Sequence, residues 1–201
     1  MKAPSDKADK LDDLLPEYEF NYRKAKQNRF MSPSLPRFLS SLIAPILVVG
    51  VIPLWLIRNV LAAYDTSWPA GAPWVWLARL VGVALFLVGL VFFVWCVALF
   101  FTTGRGTIMP WDPTQRLIVA GPYRHVRNPM ISGVLFMVAG QALIWGSALT
   151  GALAAFFFVV NHFYFIASEE PGLLKRFGES YLTYKANVPR WLPRLRPYLD
   201  L

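Results

Sequence analysis

Cysteine is almost absent from this sequence. The 201 residues include a single cysteine, Cys96, which excludes an internal disulfide bond and a cysteine-rich metal site. Cys96 also lies within a long apolar block, where a thiol is typically a small packing residue and chemically inert. We therefore expect neither a bound metal nor a cysteine nucleophile.

Charged residues are scarce as well. They make up 16% of the chain against 56% hydrophobic residues, a balance too apolar for an ordinary soluble domain of this length. A helix needs about 20 apolar residues to cross a hydrocarbon core of about 30 Å, and the first two of four apolar blocks reach this length. The sequence therefore predicts an all-α integral membrane protein with about four transmembrane helices, from apolar blocks at residues 38–61, 74–103, 130–145 and 148–167.

The third block is the shortest of the four. A helix that begins at Pro129 and ends with this block reaches only about 26 Å, so it spans the membrane only if its first turn lies in the headgroup region. Proline suits the first turn of a helix, and this start would hold Arg127 and Asn128 at the interface. Gly146-Ser147 then allows a tight connection to the fourth block. The last two spans are therefore predicted to form a helical hairpin.

The few charges are unevenly distributed. Basic residues outnumber acidic ones by 20 to 12, and all but Arg58 and Arg79 lie in the N-terminal tail, the central polar loop or the C-terminal tail. By the positive-inside rule these three segments, and hence both termini, are cytoplasmic. Topology and attraction to anionic lipid headgroups account for the excess positive charge, so no nucleic-acid partner is expected. We interpret residues 1–37 as a cytosolic tail, not a cleavable signal peptide, and residues 38–201 as the transmembrane domain.

Two polar clusters interrupt this apolar pattern. The first, residues 121–130, holds two arginines, a histidine and an asparagine, and the second is the pair Glu169-Glu170 just beyond the fourth block. A short extended piece at residues 115–119 precedes the first cluster. An amphipathic helix over residues 173–185 follows the second, and we expect it to lie on the membrane surface. If the last two spans form a hairpin, the two clusters meet at the cytoplasmic face.

These clusters allow a functional and a structural interpretation. Acidic residues near a membrane boundary cost free energy unless they are solvated or paired, which makes them functional candidates. Alternatively, Arg124 or Arg127 pairs with Glu169 or Glu170 in a salt bridge that only closes the hairpin. His162 lies seven residues before Glu169, on the same face of a continuous helix. It is either a packing residue or a base deeper in the same cavity.

Several motifs in the second half of the chain resemble a known family. They are Gly-x-Tyr from Gly121, Arg-x-Pro from Arg127, the glutamate pair, Phe-Gly-Glu-x-Tyr-x-x-Tyr from Phe177, and Val-Pro at Val188. Their order and spacing over residues 115–193 resemble the isoprenylcysteine carboxyl methyltransferase superfamily, which also includes phospholipid N-methyltransferases. The resemblance implies an integral-membrane methyltransferase that uses S-adenosylmethionine.

The resemblance also implies which residues surround the cofactor. A carboxylate can pair with the amino group of S-adenosylmethionine, an arginine with its carboxylate, and an aromatic ring with its adenine or sulfonium. Methyl transfer is an in-line displacement, so positioning and desolvation would supply most of the acceleration. Carried over by position, the cofactor-binding residues are Gln115, Arg116, Leu117, Ile118, Tyr123, Arg127, Asn128, Pro129, Met130, Ile131, Glu169 and Glu170.

Two departures from the family pattern bear on the methyl acceptor. Asn128 and Ile131 stand where the motif has a histidine and a final tyrosine, and residues 165–167 lack the arginine associated with recognition of a substrate carboxylate. A prenylcysteine carboxylate is therefore disfavoured relative to a phospholipid amine or another small amphiphile. An amine acceptor must lose a proton, so Glu169 and His162 are candidate bases, and Arg127 is the third catalytic candidate.

The expected acceptor is lipophilic and enters from the lipid bilayer, with the site facing the cytoplasm of a bacterial plasma membrane. Two other function classes stay open. One is a nicotinamide-dependent membrane reductase, because sterol reductases resemble the same C-terminal hairpin, although the tandem glutamates and the short chain favour the transferase. The other is a non-catalytic membrane protein in which both clusters only close the hairpin.

Overall fold

The fold is helical throughout the part of the chain that the structure describes. This computed structural model describes residues 42–61, 68–69, 72–104 and 114–199, and within these ranges there is no strand. The predicted N-terminal tail, residues 1–37, lies outside them. The all-helical prediction is confirmed for the described residues, whose helices we label α1 (the segments Ile43–Ile46, Leu47–Val51, Ile52–Leu56 and Ile57–Leu61), α2 (Pro73–Thr102), α3 (Pro129–Trp145), α4 (Ala148–Tyr164), α5 (Glu170–Phe177) and α6 (Glu179–Asn187).

Two helices are long and apolar enough to cross a membrane. They are α2 and the continuous helix Ala148–Phe177, and the apolar helices Ile43–Asn59 and Pro129–Trp145 are shorter. Only 11% of the apolar window of α2 is buried inside the protein, whereas a core helix of a soluble protein would be mostly covered. A large apolar surface left exposed in this way fits contact with lipid. The number of spans, the hairpin and the side on which each terminus lies stay predictions.

Paired glycines bring α2 and α3 into backbone contact. Gly82 lies against Gly140, and Gly89 lies against Gly133, so the two helices run antiparallel. A Cβ atom added at Gly89 would lie 2.5 Å from the carbonyl oxygen of Gly133, which is too close for any side chain. Small residues at such contacts are how helices approach closely in a membrane, where packing rather than water drives association.

Two prolines within helices each follow a π-helical turn. Before Pro53, the backbone N–H of Ile52 donates to the carbonyl of Leu47, and before Pro171 the N–H of Glu170 donates to the carbonyl of Phe165. Proline has no N–H and its ring crowds the preceding turn of an α-helix, so a widened turn accommodates it. The helical path therefore continues through both prolines.

A buried glutamine compensates for one of these prolines. The carbonyl of Val49, four residues before Pro53, lacks its usual helical donor because proline carries no N–H. The Gln141 side chain on α3 supplies one instead, with Nε2 donating to the Val49 oxygen at 2.7 Å. This bond ties α1 to α3 within the apolar part of the protein.

The prediction of one amphipathic helix after Pro171-Gly172 is wrong in its boundaries. The helix that begins at Ala148 does not stop at the glutamates but continues through the π-turn Phe165–Glu169 to the end of α5 at Phe177. The break comes instead at Gly178, whose φ of 54° and ψ of −131° suit a residue without a side chain. The π-turn removes the expected break, and Gly178 divides the amphipathic stretch into α5 and α6.

Candidate functional site

The loop before α3 is fixed from two sides. Ile118 is buried with Cys96 of α2 and with Tyr123. Its neighbours Leu117 and Val119 pack instead against the cluster formed by Tyr181, Tyr184 and Val188. This alternation is that of an extended segment and agrees with the prediction over residues 117–119, although they pair with no strand in the described part of the chain. Gln115 and Arg116, which the prediction included, lie in bends.

A 3₁₀ turn, Gly121–Arg124, follows the extended segment. Gly121 has a φ of 53°, and a Cβ atom there would lie 3.0 Å from the ring of Trp95, so both backbone angle and space require glycine. The Tyr184 hydroxyl donates to the carbonyl oxygen of Tyr123 at 2.7 Å. Burial raises the pKa of Tyr184, because a phenolate is disfavoured away from water. Tyr184 therefore stays protonated and able to donate this bond.

The chain end runs beside the same turn. We call residues 189–199 the C-terminal segment. The N–H of Arg127 donates to the Pro189 oxygen at 2.9 Å, and the N–H groups of Arg194 and Tyr198 donate to His125 and Arg124 at 3.0 Å and 2.9 Å. The His125 ring adds a bond from Nδ1 to the Arg194 oxygen at 2.8 Å. Residues 124–127 are thus held between α6 and the C-terminal segment.

An ion pair joins the two polar clusters of the sequence. Arg127 Nη1 lies 2.8 Å from Glu170 Oε1, and it also donates to the Tyr181 hydroxyl at 3.3 Å. Among the pairings left open by the sequence, the structure selects Arg127 with Glu170. Arg124 instead is exposed and donates from Nε to the Val119 oxygen at 3.3 Å.

Glu170 is surrounded by cations. Besides Arg127, Arg190 binds the same carboxylate oxygen at 2.7 Å and Lys185 binds the other oxygen at 2.8 Å. Three positive charges on one buried carboxylate leave this cluster with excess positive charge. Lys185 and Arg190 were not singled out from the sequence, because nothing in their spacing from Glu170 indicates that α6 and the C-terminal segment fold back onto it.

Two polar groups beside this cluster retain binding capacity. The Arg127 Nε atom is buried and has no hydrogen-bond partner. Within the described part of the chain, the half-buried Glu169 makes no hydrogen bond and no ion pair. Arg176 acts on the Glu169 carboxylate electrostatically, while its Nη1 donates to the Thr114 oxygen at 3.1 Å. Arg127 therefore keeps one N–H donor that could bind an anion, and Glu169 keeps a carboxylate that could bind a cation.

His162 faces a different neighbour from the glutamates. The Trp191 indole N–H donates to His162 Nδ1 at 3.0 Å, and the two rings stack at 6.3 Å. An indole nitrogen can only donate, so Nδ1 is the acceptor and the proton of the neutral ring is on Nε2. The π-turn Phe165–Glu169 also interrupts the regular spacing on which a shared face of His162 and Glu169 was predicted.

The remaining predicted residues are distributed around the loop. Pro129 is buried at the start of α3, and Met130 packs beside Ile118 and Tyr123. The Asn128 carbonyl accepts bonds from Ser132. Gln115 and Arg116 are exposed, and Ile131 is half-buried in the first turn of α3. No cluster of three metal-ligating side chains occurs among the described residues.

Comparison with known proteins agrees with this placement. The family model for phospholipid methyltransferase matches residues 77–180, just over half of the chain. The match runs from α2 through α3 and the glutamate pair into α6, and it confirms the resemblance found in the sequence. No curated protein and no solved structure matches the chain. The protein therefore belongs to the phospholipid methyltransferase family, whose members are membrane methyltransferases of phospholipid-like substrates.

Proposed function

We propose that the protein is an S-adenosylmethionine-dependent methyltransferase with its cofactor beside the Arg127–Glu170 pair and a lipid amine as acceptor. The observation that carries the proposal is the contrast within the glutamate pair. Glu170 is occupied by three cations, whereas Glu169 next to it has no such partner among the described residues. A tandem of carboxylates in which one member is held by three ion pairs, and the other is acted on by Arg176 without a direct bond, fits one structural and one ligand-binding role.

The available groups match the polar end of the cofactor. S-adenosylmethionine supplies an activated methyl group on a sulfonium, and its other end carries an ammonium and a carboxylate. Glu169 is suited to the ammonium, and the free Nε of Arg127, within an excess of positive charge, is suited to the carboxylate. Tyr123 and Met130, with Ile118, provide an apolar wall nearby. These residues come from the set predicted by the resemblance.

Glu170 and Arg127 have a further role in this proposal, which is to hold the site together. Through Glu170, the loop before α3 is bonded to α6 and to the C-terminal segment at one carboxylate. Arg127 is therefore a positioning residue through Nη1 as well as a ligand-binding one through Nε. Gln115, Arg116 and Ile131, whose side chains make no such bonds to the described residues, would contribute at the edge of the site.

The proton of an amine acceptor is also assigned to Glu169, with one carboxylate oxygen pairing with the cofactor's ammonium and the other accepting the proton. With S-adenosylmethionine bound, the amine nitrogen would take the methyl group as its bond to the sulfonium sulfur breaks, leaving S-adenosylhomocysteine. The methylated nitrogen would then shed one proton, which a nearby carboxylate can accept. His162 is less suited to this task, because Nδ1 is engaged by Trp191 and Nε2 carries the proton. We therefore favour Glu169 over His162 as the base.

The acceptor is proposed to enter from the bilayer and the site to face the cytoplasm. Exposed apolar side chains on α2 and α4 support contact with lipid, and the positive-inside rule supports a cytoplasmic loop with four spans and a hairpin of α3 and α4. Bacterial plasma membrane is the proposed location. Ile166 and Ala167 are exposed and apolar, so these two positions offer no cation to a substrate carboxylate, which favours a phospholipid amine. The family match supports a transferase over a reductase.

Calorimetric binding of S-adenosylhomocysteine to the detergent-solubilised protein tests the proposal. We expect saturable binding by wild type and a loss of about tenfold or more in affinity for Glu169→Gln, since a charge-assisted bond is removed. Thermal stability should not fall, because burial raises the pKa of Glu169 to about 7 and so disfavours its charged form. Glu179→Gln, at an exposed glutamate of α6, is the matched control and should bind like wild type. A folded wild type that binds a nicotinamide cofactor but not S-adenosylhomocysteine would refute the methyltransferase proposal.

A further inference from the structure

The C-terminal segment combines exposed leucines with unbalanced positive charge. Leu195 is 97% exposed and Leu192 is 81% exposed, although neighbouring residues of the segment are bonded to the loop before α3. Between Pro189 and Leu199 the sequence has three arginines and no acidic residue, and of the three Arg190 is paired with Glu170. A mixture of apolar and basic side chains is characteristic of protein surfaces that lie in the interface of an anionic membrane.

The contacts of Trp191 show which part of the helix Ala148–Phe177 the C-terminal segment lies beside. Its ring packs against Phe158 at 4.9 Å and Phe165 at 5.8 Å, and its N–H bonds to His162. These partners belong to the apolar part of the helix Ala148–Phe177. His162 lies seven residues before Glu169, roughly 10 Å along a helix, so the indole reaches well below the glutamates.

Arg190, the residue before Trp191, lies beside the glutamates. Its guanidinium binds Glu170, while the adjacent residue Trp191 extends toward His162. The backbone between the two side chains must therefore pass beside the last apolar turns before the glutamates. Leu192 follows directly and is exposed at that level, where the surroundings of α4 are lipid if the helix spans the membrane.

We propose that the C-terminal segment is a membrane-inserted surface that binds anionic phospholipid headgroups. Leu192 and Leu195 enter the upper acyl region, and Arg194 and Arg196 reach back to the headgroups, as long basic side chains do at an interface. The Arg194 guanidinium donates to the Asn187 oxygen, which leaves further N–H groups for a phosphate. Insertion needs only that the protein is embedded in a membrane, not that it transfers methyl groups.

A fluorescent label at position 195 tests insertion. Cys96 is fully buried, so the full-length Leu195→Cys protein can be labelled at one site. Wild type treated with the same dye is the control and should remain unlabelled. In phosphatidylcholine nanodiscs containing phosphatidylglycerol, we expect blue-shifted emission that brominated acyl chains quench and aqueous iodide does not. Ser180→Cys, at an exposed position of α6, is the matched control and should be quenched by iodide.

Lipid charge is tested with the same label. The emission shift should grow with the fraction of phosphatidylglycerol. The Arg196→Gln protein should need about fivefold more phosphatidylglycerol than the Arg196 protein to reach half of the full shift, as expected for the loss of one basic residue near an anionic surface. Arg58→Gln removes an equal charge from α1 and should leave the titration unchanged. Iodide quenching of label 195 in anionic nanodiscs would overturn insertion. Blue-shifted emission without quenching by brominated lipid would show that protein covers the segment, and equal shifts in neutral and anionic lipid would overturn the headgroup assignment.

Discussion

The stability of the site is expected to depend on the Glu170 carboxylate more than on any one of its cations. Replacing Glu170 with glutamine removes the negative charge while Arg127, only 11% exposed, stays in place. Breaking a buried ion pair by removing one partner costs about 3–5 kcal/mol, because the other charge is left buried and uncompensated. Mutual repulsion among the three remaining cations acts in the same direction.

The three cations should differ in a graded way. The Lys185 side chain is 44% exposed, so its pair with Glu170 resembles a surface salt bridge worth about 0–1 kcal/mol. Lys185→Gln should therefore be mild, Arg190→Gln intermediate, and Arg127→Gln severe. The free energy of unfolding, measured by equilibrium unfolding in detergent mixtures with increasing dodecyl sulfate, gives this order directly.

Glu179→Gln is the internal control for this series, since Glu179 is exposed and makes no ion pair among the described residues. It should leave the free energy of unfolding within about 0.5 kcal/mol of wild type. A Glu170→Gln protein as stable as wild type would refute the reasoning, and so would a Lys185→Gln protein as unstable as Glu170→Gln.

Three further substitutions, together with one control, test the packing that holds the site. Gly89→Ala places a Cβ atom 2.5 Å from a facing carbonyl and should cost about 1–3 kcal/mol. Its control, Gly172→Ala, places a Cβ atom with no other atom within 4 Å and should be neutral or stabilising. The thermal unfolding midpoints of the two proteins test this difference. Gln141→Leu leaves the Val49 oxygen without a side-chain donor and should cost about 1 kcal/mol of stability in the same assay. Unchanged stability would show that the bond from Gln141 does not stabilise the protein. Tyr184→Phe removes the hydrogen bond to the Tyr123 oxygen. It should cost about 1–3 kcal/mol and weaken cofactor binding by loosening the loop before α3. Unchanged stability and affinity would show that this bond does not hold the loop.

The sequence predicts the helices better than their ends. Apolar blocks at residues 74–103 and 130–145 agree with α2 and α3 to within a residue, because a lipid-facing helix needs an uninterrupted apolar run and little else. Pro171 is a poor guide to the end of the next helix, since whether a proline breaks a helix depends on a π-turn that no local pattern reveals. Gly178, a more ordinary helix terminator, marks the true break.

The site is predictable in its pairing but not in its charge balance. That Arg127 and a glutamate meet follows from two clusters at the ends of neighbouring helices. That Lys185 and Arg190 also reach Glu170 depends on how α6 and the C-terminal segment fold back, which is set by packing around Tyr181, Tyr184 and Val188. The partner of His162 is likewise distant in sequence, 29 residues away at Trp191.

The π-turn before Pro171 makes the direction of the glutamates independent of the direction of the apolar face of α4. In an unbroken α-helix each residue is rotated by about 100° from the last, since 3.6 residues make a turn, so the direction of the glutamates would be fixed by that of the apolar face. The extra residue in the wide turn breaks this dependence. The direction of the apolar face of α4 and the direction of Glu169 and Glu170 can therefore change independently. Deleting one residue from Phe165–Glu169 would turn the carboxylates away from Arg127 without altering the hydrophobicity of α4.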